Sequence, residues 1–335
     1  MPKQWRAVLG VLMSLTMIAA GCGDDDDGDD AAGDEADSEA GGTEDDELTP
    51  ITVGILPIAD LAPLYYGIEE GYFAEEGLEV TTEVGQGGAA LVPAVVSGDY
   101  QLAFGNYVSL MLARQNGVEM QIVGNVVSGA ESADRGTNAL LVAPDSGITS
   151  VDDLAGRTFA VTTLNNVAEV NIRTMLREAG VDDADIEFVE MPFPDMNAAV
   201  ESGQVDVAWQ AEPFVTLGES AGLVNVGDPM YATTPSMPLA GMFASQSWTE
   251  ENPDLVEAFD RAMRRSLEAS GDDEAMRAAI EANTETPPEI ISEIALANWQ
   301  ADLDTEKLQL VGELAAEYGL LEDEPDLDAL VWDGG

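Results

Sequence analysis

Two carboxylates stand where a folded chain could use them. Asp60 comes shortly after the apolar run 51–56 and just before Ala62-Pro63. Glu212 follows the apolar run 205–209 in Trp209-Gln210-Ala211-Glu212-Pro213-Phe214. A carboxylate in such a place accepts hydrogen bonds from an amine or amidine; the plain alternative is loop surface. Tyr65, Tyr66, Phe104 and Trp209 could stack on a flat ring, although single aromatics at such positions also suit a core. Gly87 and Gly88 open a helical pattern. Their backbone N–H groups could meet a polar or anionic group, or the pair is only a tight strand-to-helix turn. Thr162, Asn165 and Asn166 precede another helical run in the same way. An asparagine there either caps the helix or donates and accepts toward a ligand. Asn106 and Gln210 lie at the ends of further short apolar runs. Much other chemistry is absent from the composition. With no histidine and one cysteine, no Ser-His-Asp triad, Cys-His pair, His-ligated zinc or intrachain disulfide is possible. No Gly-x-x-x-x-Gly-Lys-Ser/Thr phosphate loop occurs. No metal and no cofactor is expected.

Charge narrows the partners. The 335 residues carry 65 Asp and Glu against 12 Lys and Arg, a net charge of −53. Such a surface repels phosphates, so nucleic acid is not an expected partner. Fourteen of the acids lie within 23–47, where there is no base. That run lacks apolar periodicity and the alternating spacing of a calcium loop, and it reads as a disordered, self-extended tether. The remainder is still strongly acidic and almost without lysine. A same-sign surface of this density repels itself unless salt screens it, which points to a saline habitat.

The N-terminus carries an address. Lys3 and Arg6 precede an apolar run over 7–20, too short for a transmembrane helix, and Ala19-Ala20-Gly21-Cys22 follows. This ending resembles the bacterial lipobox, although Ala19 stands where leucine is usual. The resemblance implies a signal peptide over 1–21, lipid on Cys22, a tether over 22–47, and a place on the outer face of the cytoplasmic membrane.

The elements that must position the candidate residues alternate. Strands are expected at 51–56, 78–84, 102–104, 121–127 and 138–143, with helices over 65–76, after Gly88, and near 108–115. A second block repeats the order. Ser150 caps a turn, strands follow at 158–162, 186–191 and 205–209, and helices at 167–179 and 197–202. Helices then open at Pro253, after Pro287 near Trp299, and at Thr305. This βαβα pattern predicts an α/β fold with mostly parallel sheets. Ligands of such sheets sit beyond the carboxyl ends of the strands, here 57–66, 86–89, 104–107, 162–167 and 210–213.

Several stretches together resemble one family. They are Leu56-Pro57, Ala62-Pro63-Leu64-Tyr65, Gly71-Tyr72-Phe73-Ala74-Glu75-Glu76-Gly77-Leu78, Gly87-Gly88, Ser97-Gly98, Asp152-Asp153-Leu154-Ala155-Gly156, and Gly203-Gln204-Val205-Asp206-Val207-Ala208-Trp209 with Glu212-Pro213-Phe214. In order and spacing they are similar to substrate-binding proteins of ABC importers, in the branch serving nitrate, sulfonates, taurine and thiamine-precursor pyrimidines. The resemblance covers roughly 51–321. It implies a two-lobed periplasmic-binding-protein type II fold with two crossover strands: lobe one over 51–142 plus 240–335, lobe two over 143–239, and hinge closure on a small-molecule ligand. It further implies permease subunits and a separate ATPase as partners. The chain departs from the family at Gln101, where Asp is frequent. It also departs at Asn165-Asn166, where sulfonate binders have Gly-Ser-Thr. The missing hydroxyls count against a simple sulfonate, and Asp60, Glu212 and the aromatics together favour a neutral or amine-bearing planar ligand over nitrate, within an expected class of small nitrogen- or sulfur-containing solutes. Relatives that make the thiamine pyrimidine consume a histidine and use a pyridoxal cofactor. This chain has no histidine, so a binding protein and not an enzyme is expected. A ligand sensor for a membrane receptor is the alternative that the same fold allows.

Overall fold

The computed structural model describes residues 48–335 apart from 86, 133–135 and 335. The expected signal peptide, the lipidation of Cys22 and the tether over 22–47 therefore lie outside the described residues, as does Gln86.

Eleven described strands form two sheets. In chain order they are β1 (Thr49–Ile55), β2 (Leu78–Val84), β3 (Leu102–Asn106), β4 (Met120–Ser128), β5 (Asn138–Val142), β6 (Thr158–Val161), β7 (Glu187–Glu190), β8 (Val207–Ala211), β9 (Val224–Asn225), β10 (Pro238–Ser245) and β11 (Asn298–Trp299). One sheet has the order β11-β4-β10-β3-β1-β2 and the other β7-β6-β8-β5-β9. Strands with continuous apolar runs are buried along most of their length, as β3, β5 and β8 are, because helices cover both faces. By contrast β2, at an edge, alternates in sequence and is largely exposed after Leu78.

The sheets are mixed, where mostly parallel sheets were expected. β1 pairs in parallel with β2 and β3, and β6 with β7 and β8. β10 runs antiparallel to β3 and β4, and β5 antiparallel to β8 and β9. The reversal has a topological cause. β5 is the first strand after the chain leaves the first sheet, and β10 the first after it returns. A chain that arrives from between the sheets enters each at the end where the parallel strands finish, so it must run the other way. The outward crossing accordingly falls between Ser128 and Asn138. Strand β5 belongs to the second sheet, not to the first-lobe segment ending at 142 that the sequence suggested. The return crossing lies between Asn225 and Pro238.

Three local expectations also change. The helix expected over 65–76 is two helices, Ala62–Glu69 and Tyr72–Glu75, parted by Gly71 at φ 78°, a left-handed conformation that glycine adopts without steric cost. Trp299 is not helical: it pairs with Val127 in β11. Ser150 does not cap its turn; the Asp153 carboxylate instead accepts from the backbone N–H and hydroxyl of Thr149.

Candidate functional site

The carboxyl ends of β1, β3, β6 and β8 and the amino ends of β5 and β10 converge on a small closed chamber of about 30 Å3 between the two sheets. Its walls are mostly apolar: Leu56, Ile58, Phe104, Val167, Phe193, Trp209, Ala211, Leu239 and Ala240. The polar groups on it are Asp60, Asn106, Asn138 and Thr162. Among the described residues no cation lines it.

Asp60 sits on the 3-10 turn Ala59–Leu61 that β1 leads into, and is 3% exposed. Its backbone is clamped. The Trp299 indole N–H donates to the Asp60 carbonyl at 2.8 Å, and the Ala59 N–H donates to the Glu212 carbonyl at 2.9 Å. Its Oδ1 is buried without a hydrogen-bond partner. Burial, and secondarily the charge of Glu212, push the Asp60 carboxyl up to about 7. Trp209 is 5% exposed and packs on Phe193 with ring centroids 5.4 Å apart. Its indole N–H is likewise buried and unpaired. An orphaned acceptor and an orphaned donor thus line one apolar chamber. Unmet buried polar groups are rare in folded proteins and each costs about 1–3 kcal/mol.

The other candidates divide. Thr162 and Asn106 reach the chamber. The Asn106 Oδ1 accepts from the Ser109 N–H at 3.0 Å, capping the helix Tyr107–Gln115. Asn166 is fully buried as the cap of the helix Val167–Glu178, accepting from the N–H groups of Ala168 and Glu169 and donating to Thr162 Oγ1 at 3.4 Å. Asn165 lies in the left-handed region at φ 55°, and its N–H donates to the Glu169 carboxylate at 3.3 Å. Gly87 caps the helix Gly88–Ser97 and approaches Thr162 and Thr163 closely, lining with them a neighbouring groove of about 350 Å3, not the chamber. Tyr65 lines a different groove beside Glu69 and Thr82.

Gln210 and Glu212 are in the strand and turn expected, yet neither side chain lines the chamber. Successive side chains of a strand point to opposite faces, so Trp209 and Ala211 face the chamber and Gln210 faces away. The Gln210 amide donates to the Phe193 carbonyl and the Asn197 Oδ1. Glu212, 2% exposed, is occupied by internal donors: the Thr216 N–H at 3.1 Å, the Thr216 hydroxyl at 2.9 Å and the Ala295 N–H at 3.1 Å. Burial pushes its carboxyl up, and these three bonds oppose the shift. Glu212 therefore braces the second lobe against the C-terminal segment of the first.

Sequence reasoning missed Asn138, Leu239, Ala240 and Phe193. Asn138 opens β5 and Ala240 is the third residue of β10, and they lie opposite Ala211 and Asn106. A rule that looks beyond carboxyl ends overlooks the amino end of a strand entering from the chamber. Reversal after a crossing was the signal available. Phe193 lies at the start of the helix that follows β7.

Two α/β lobes around a buried chamber define a two-lobed solute-binding architecture. The alkanesulfonate-binding protein SsuA from Xanthomonas axonopodis pv. citri, solved with MOPS, has this fold: TM-score 0.72 at 17% identity, over 85% of this chain and 99% of that one. The chain belongs to the NMT1/THI5 like family, which matches residues 58–273. It is 27% identical over 222 residues to a riboflavin-binding protein of Chloroflexus aurantiacus, covering 65% of this chain and 60% of that protein. It is 24% identical over 236 residues to a formylaminopyrimidine-binding protein of Halalkalibacterium halodurans, covering 69% of each. The first match thus spans less than two thirds of that relative's length.

Proposed function

We propose that this chain is the extracytoplasmic solute-binding subunit of an ABC importer, held at the membrane by lipid on Cys22, and that its chamber, widened when the lobes part, takes a small planar solute bearing N–H groups. The carrying observation is the pairing of an unmatched acceptor, Asp60 Oδ1, with an unmatched donor, the Trp209 indole N–H, inside one apolar chamber. A ring with a donor and an acceptor on its edge meets both and stacks on Phe104, Phe193 or Trp209. Sulfonates and nitrate fit poorly, because an anion here faces Asp60 with no described cation to neutralise it. The family membership supports the binding role, and the relatives named for riboflavin and formylaminopyrimidine both take flat nitrogen heterocycles. Among the described residues no helix is long and apolar enough to cross a membrane. The permease and ATPase are separate partners in this reading, and no catalysis is assigned.

Closure around the solute is supported by contacts between the lobes. Arg177 of the second lobe bonds Glu317 at 3.2 Å and lies 4.2 Å over the Tyr318 ring. Thr174 and Tyr318 share a hydroxyl hydrogen bond at 2.9 Å.

The test is a thermal-shift panel of aminopyrimidines, purines, flavins, taurine, alkanesulfonates and nitrate in high salt. A solute at 100 times its Kd stabilises by about 2.7 kcal/mol, a rise of roughly 5–10 °C for a body of this size. A shift with planar N–H compounds is expected. A shift confined to sulfonates or nitrate would overturn the chamber reading.

A further inference from the structure

The two lobes are tied together on one side of the chamber and only packed together on the other. Both crossings, between Ser128 and Asn138 and between Asn225 and Pro238, leave the sheets from β4, β5, β9 and β10. There the crossing segments bond to each other, with the Gly129 N–H on the Met237 carbonyl at 2.8 Å and the Ser236 N–H on the Ala130 carbonyl at 3.0 Å. Gly87 lies past the end of β2, at the far edge of one sheet, and Pro192 past the end of β7, at the far edge of the other. We propose that the groove of about 350 Å3 between these far edges is the mouth through which solute enters the chamber, and that Gly87 closes it by seating, without a side chain, against Thr162 and Thr163. This rests on the reading of the chamber as the solute site.

The groove takes Gly87 and Ala90 from the first lobe and Thr162, Thr163 and Pro192 from the second. Thr162 also lines the chamber, so groove and chamber share a wall. Each side of the mouth is held by its own lobe. The Gly85 N–H donates to the Ile55 carbonyl at 2.8 Å in the first. In the second, the Leu164 N–H donates to the Glu190 carboxylate at 3.2 Å and the Asn166 amide to the Thr162 hydroxyl at 3.4 Å. Among the described residues no hydrogen bond joins Gly87 or Ala90 to the second lobe. The lobes can therefore part here by losing packing alone, while the crossings act as the hinge.

Gly87 has extended backbone, φ −174° and ψ 154°, which any residue adopts, so its identity answers to space and not to conformation. A Cβ there would lie 2.9 Å from Thr163 Oγ1 and 3.0 Å from the Thr162 carbonyl oxygen. The hydroxyl can turn aside. The carbonyl belongs to the backbone, and it yields to a larger side chain only if the lobes separate.

Two variants move the mouth in opposite directions. Gly87→Thr adds bulk at a helix cap where threonine and glycine serve about equally well. Gly87→Cys with Thr163→Cys, in a Cys22→Ser background, staples the mouth shut. In a disulfide the far sulfur lies about 3 Å from Cβ, which matches the 2.9 Å from the Gly87 Cβ position to Thr163 Oγ1. The first readout needs no solute. The Trp209 indole N–H is buried on the chamber without a partner, so its hydrogen exchange reports how often water reaches the chamber. It is followed by NMR and assigned with Trp209→Phe. Exchange should be faster than wild type by ~3-fold or more in Gly87→Thr, and slower by ~10-fold or more in the oxidised staple, recovering on reduction. The second readout is stopped-flow binding of 4-aminopyrimidine and adenine. Gly87→Thr should speed release more than entry. The oxidised staple should block entry, and when oxidised with the compound already bound it should retain it until reductant is added. A staple that forms and leaves exchange and binding unchanged would show that water and solute pass elsewhere, and that result overturns the proposal. A pair that does not oxidise overturns it too, because the lobes then do not meet at Gly87. If neither compound binds, the solute reading fails and the entry route with it, while the indole exchange separately decides whether Gly87 sets the opening.

Discussion

Replacing Trp209 by Phe should weaken solute binding without weakening the fold. The indole is 5% exposed, packs at a tilt against Phe193, and has its N–H buried and unpaired on the chamber wall. If that N–H donates to the solute, its loss removes one hydrogen bond, about 0.5–1.5 kcal/mol. That is a two- to twelvefold rise in Kd. The ligand-free fold has two opposing terms. Losing part of the ring opens a cavity on the order of 40 Å3, which costs about 1 kcal/mol. Removing an unmatched buried donor returns about 1–3 kcal/mol. The variant should therefore unfold within ~1–2 kcal/mol of wild type, on the stable side if either. Calorimetry for Kd and urea unfolding for stability measure the two effects separately. An unchanged Kd would take the indole N–H out of the solute's reach. A fall in stability of ~3 kcal/mol or more would show that the donor is paired and that the chamber argument is wrong.

Asp60→Asn should stabilise the ligand-free protein at pH 8, clearly less at pH 5, and little below about pH 4. A carboxyl whose folded value, about 7, exceeds its unfolded value, 3.8, binds more protons when folded, so its contribution is favourable at low pH and lost as pH rises toward 7. Thermal unfolding at pH 8 and pH 5 checks the sign, and equal effects at both would refute it. Glu212→Ala strands the Ala295 and Thr216 N–H groups and should cost about 3 kcal/mol in urea unfolding, with partial rescue in Glu212→Gln; a cost under ~1 kcal/mol would mean that the brace contributes little. Gly241→Ala sets a Cβ 2.2 Å from the Gly124 carbonyl oxygen inside the β10–β4 ladder, where backbone cannot yield, and should destabilise by at least ~1–3 kcal/mol. Finally, unfolding temperature should rise between 0.1 M and 2 M NaCl as the excess of 65 acids over 12 bases is screened; no rise would remove the saline-habitat reading.

The alternation of apolar runs with helical patterns was enough to set out the two α/β blocks, because each run's period fixes whether it can bury one face or two. The motif order from Leu56 to Phe214 likewise led to the right family, and local chemistry identified Asn166 as a residue at a helix start. Single-residue properties also placed Asp60 and Trp209 among the candidates. What they could not show was which way side chains point once strands pair. Gln210 and Trp209 are neighbours in sequence, and the pleat alone puts one on the chamber and the other behind it. Glu212 looked like a solute ligand because an acidic residue after a strand is exposed in sequence terms. Only tertiary packing brings the Ala295 N–H, 83 residues away, to its carboxylate. The same holds for Asn138 and Ala240, whose place on the chamber depends on strands reversed by the crossings between lobes. Periodicity and capping are local and can be read along the chain; a chamber is made of groups far apart in sequence, and their meeting is decided by topology.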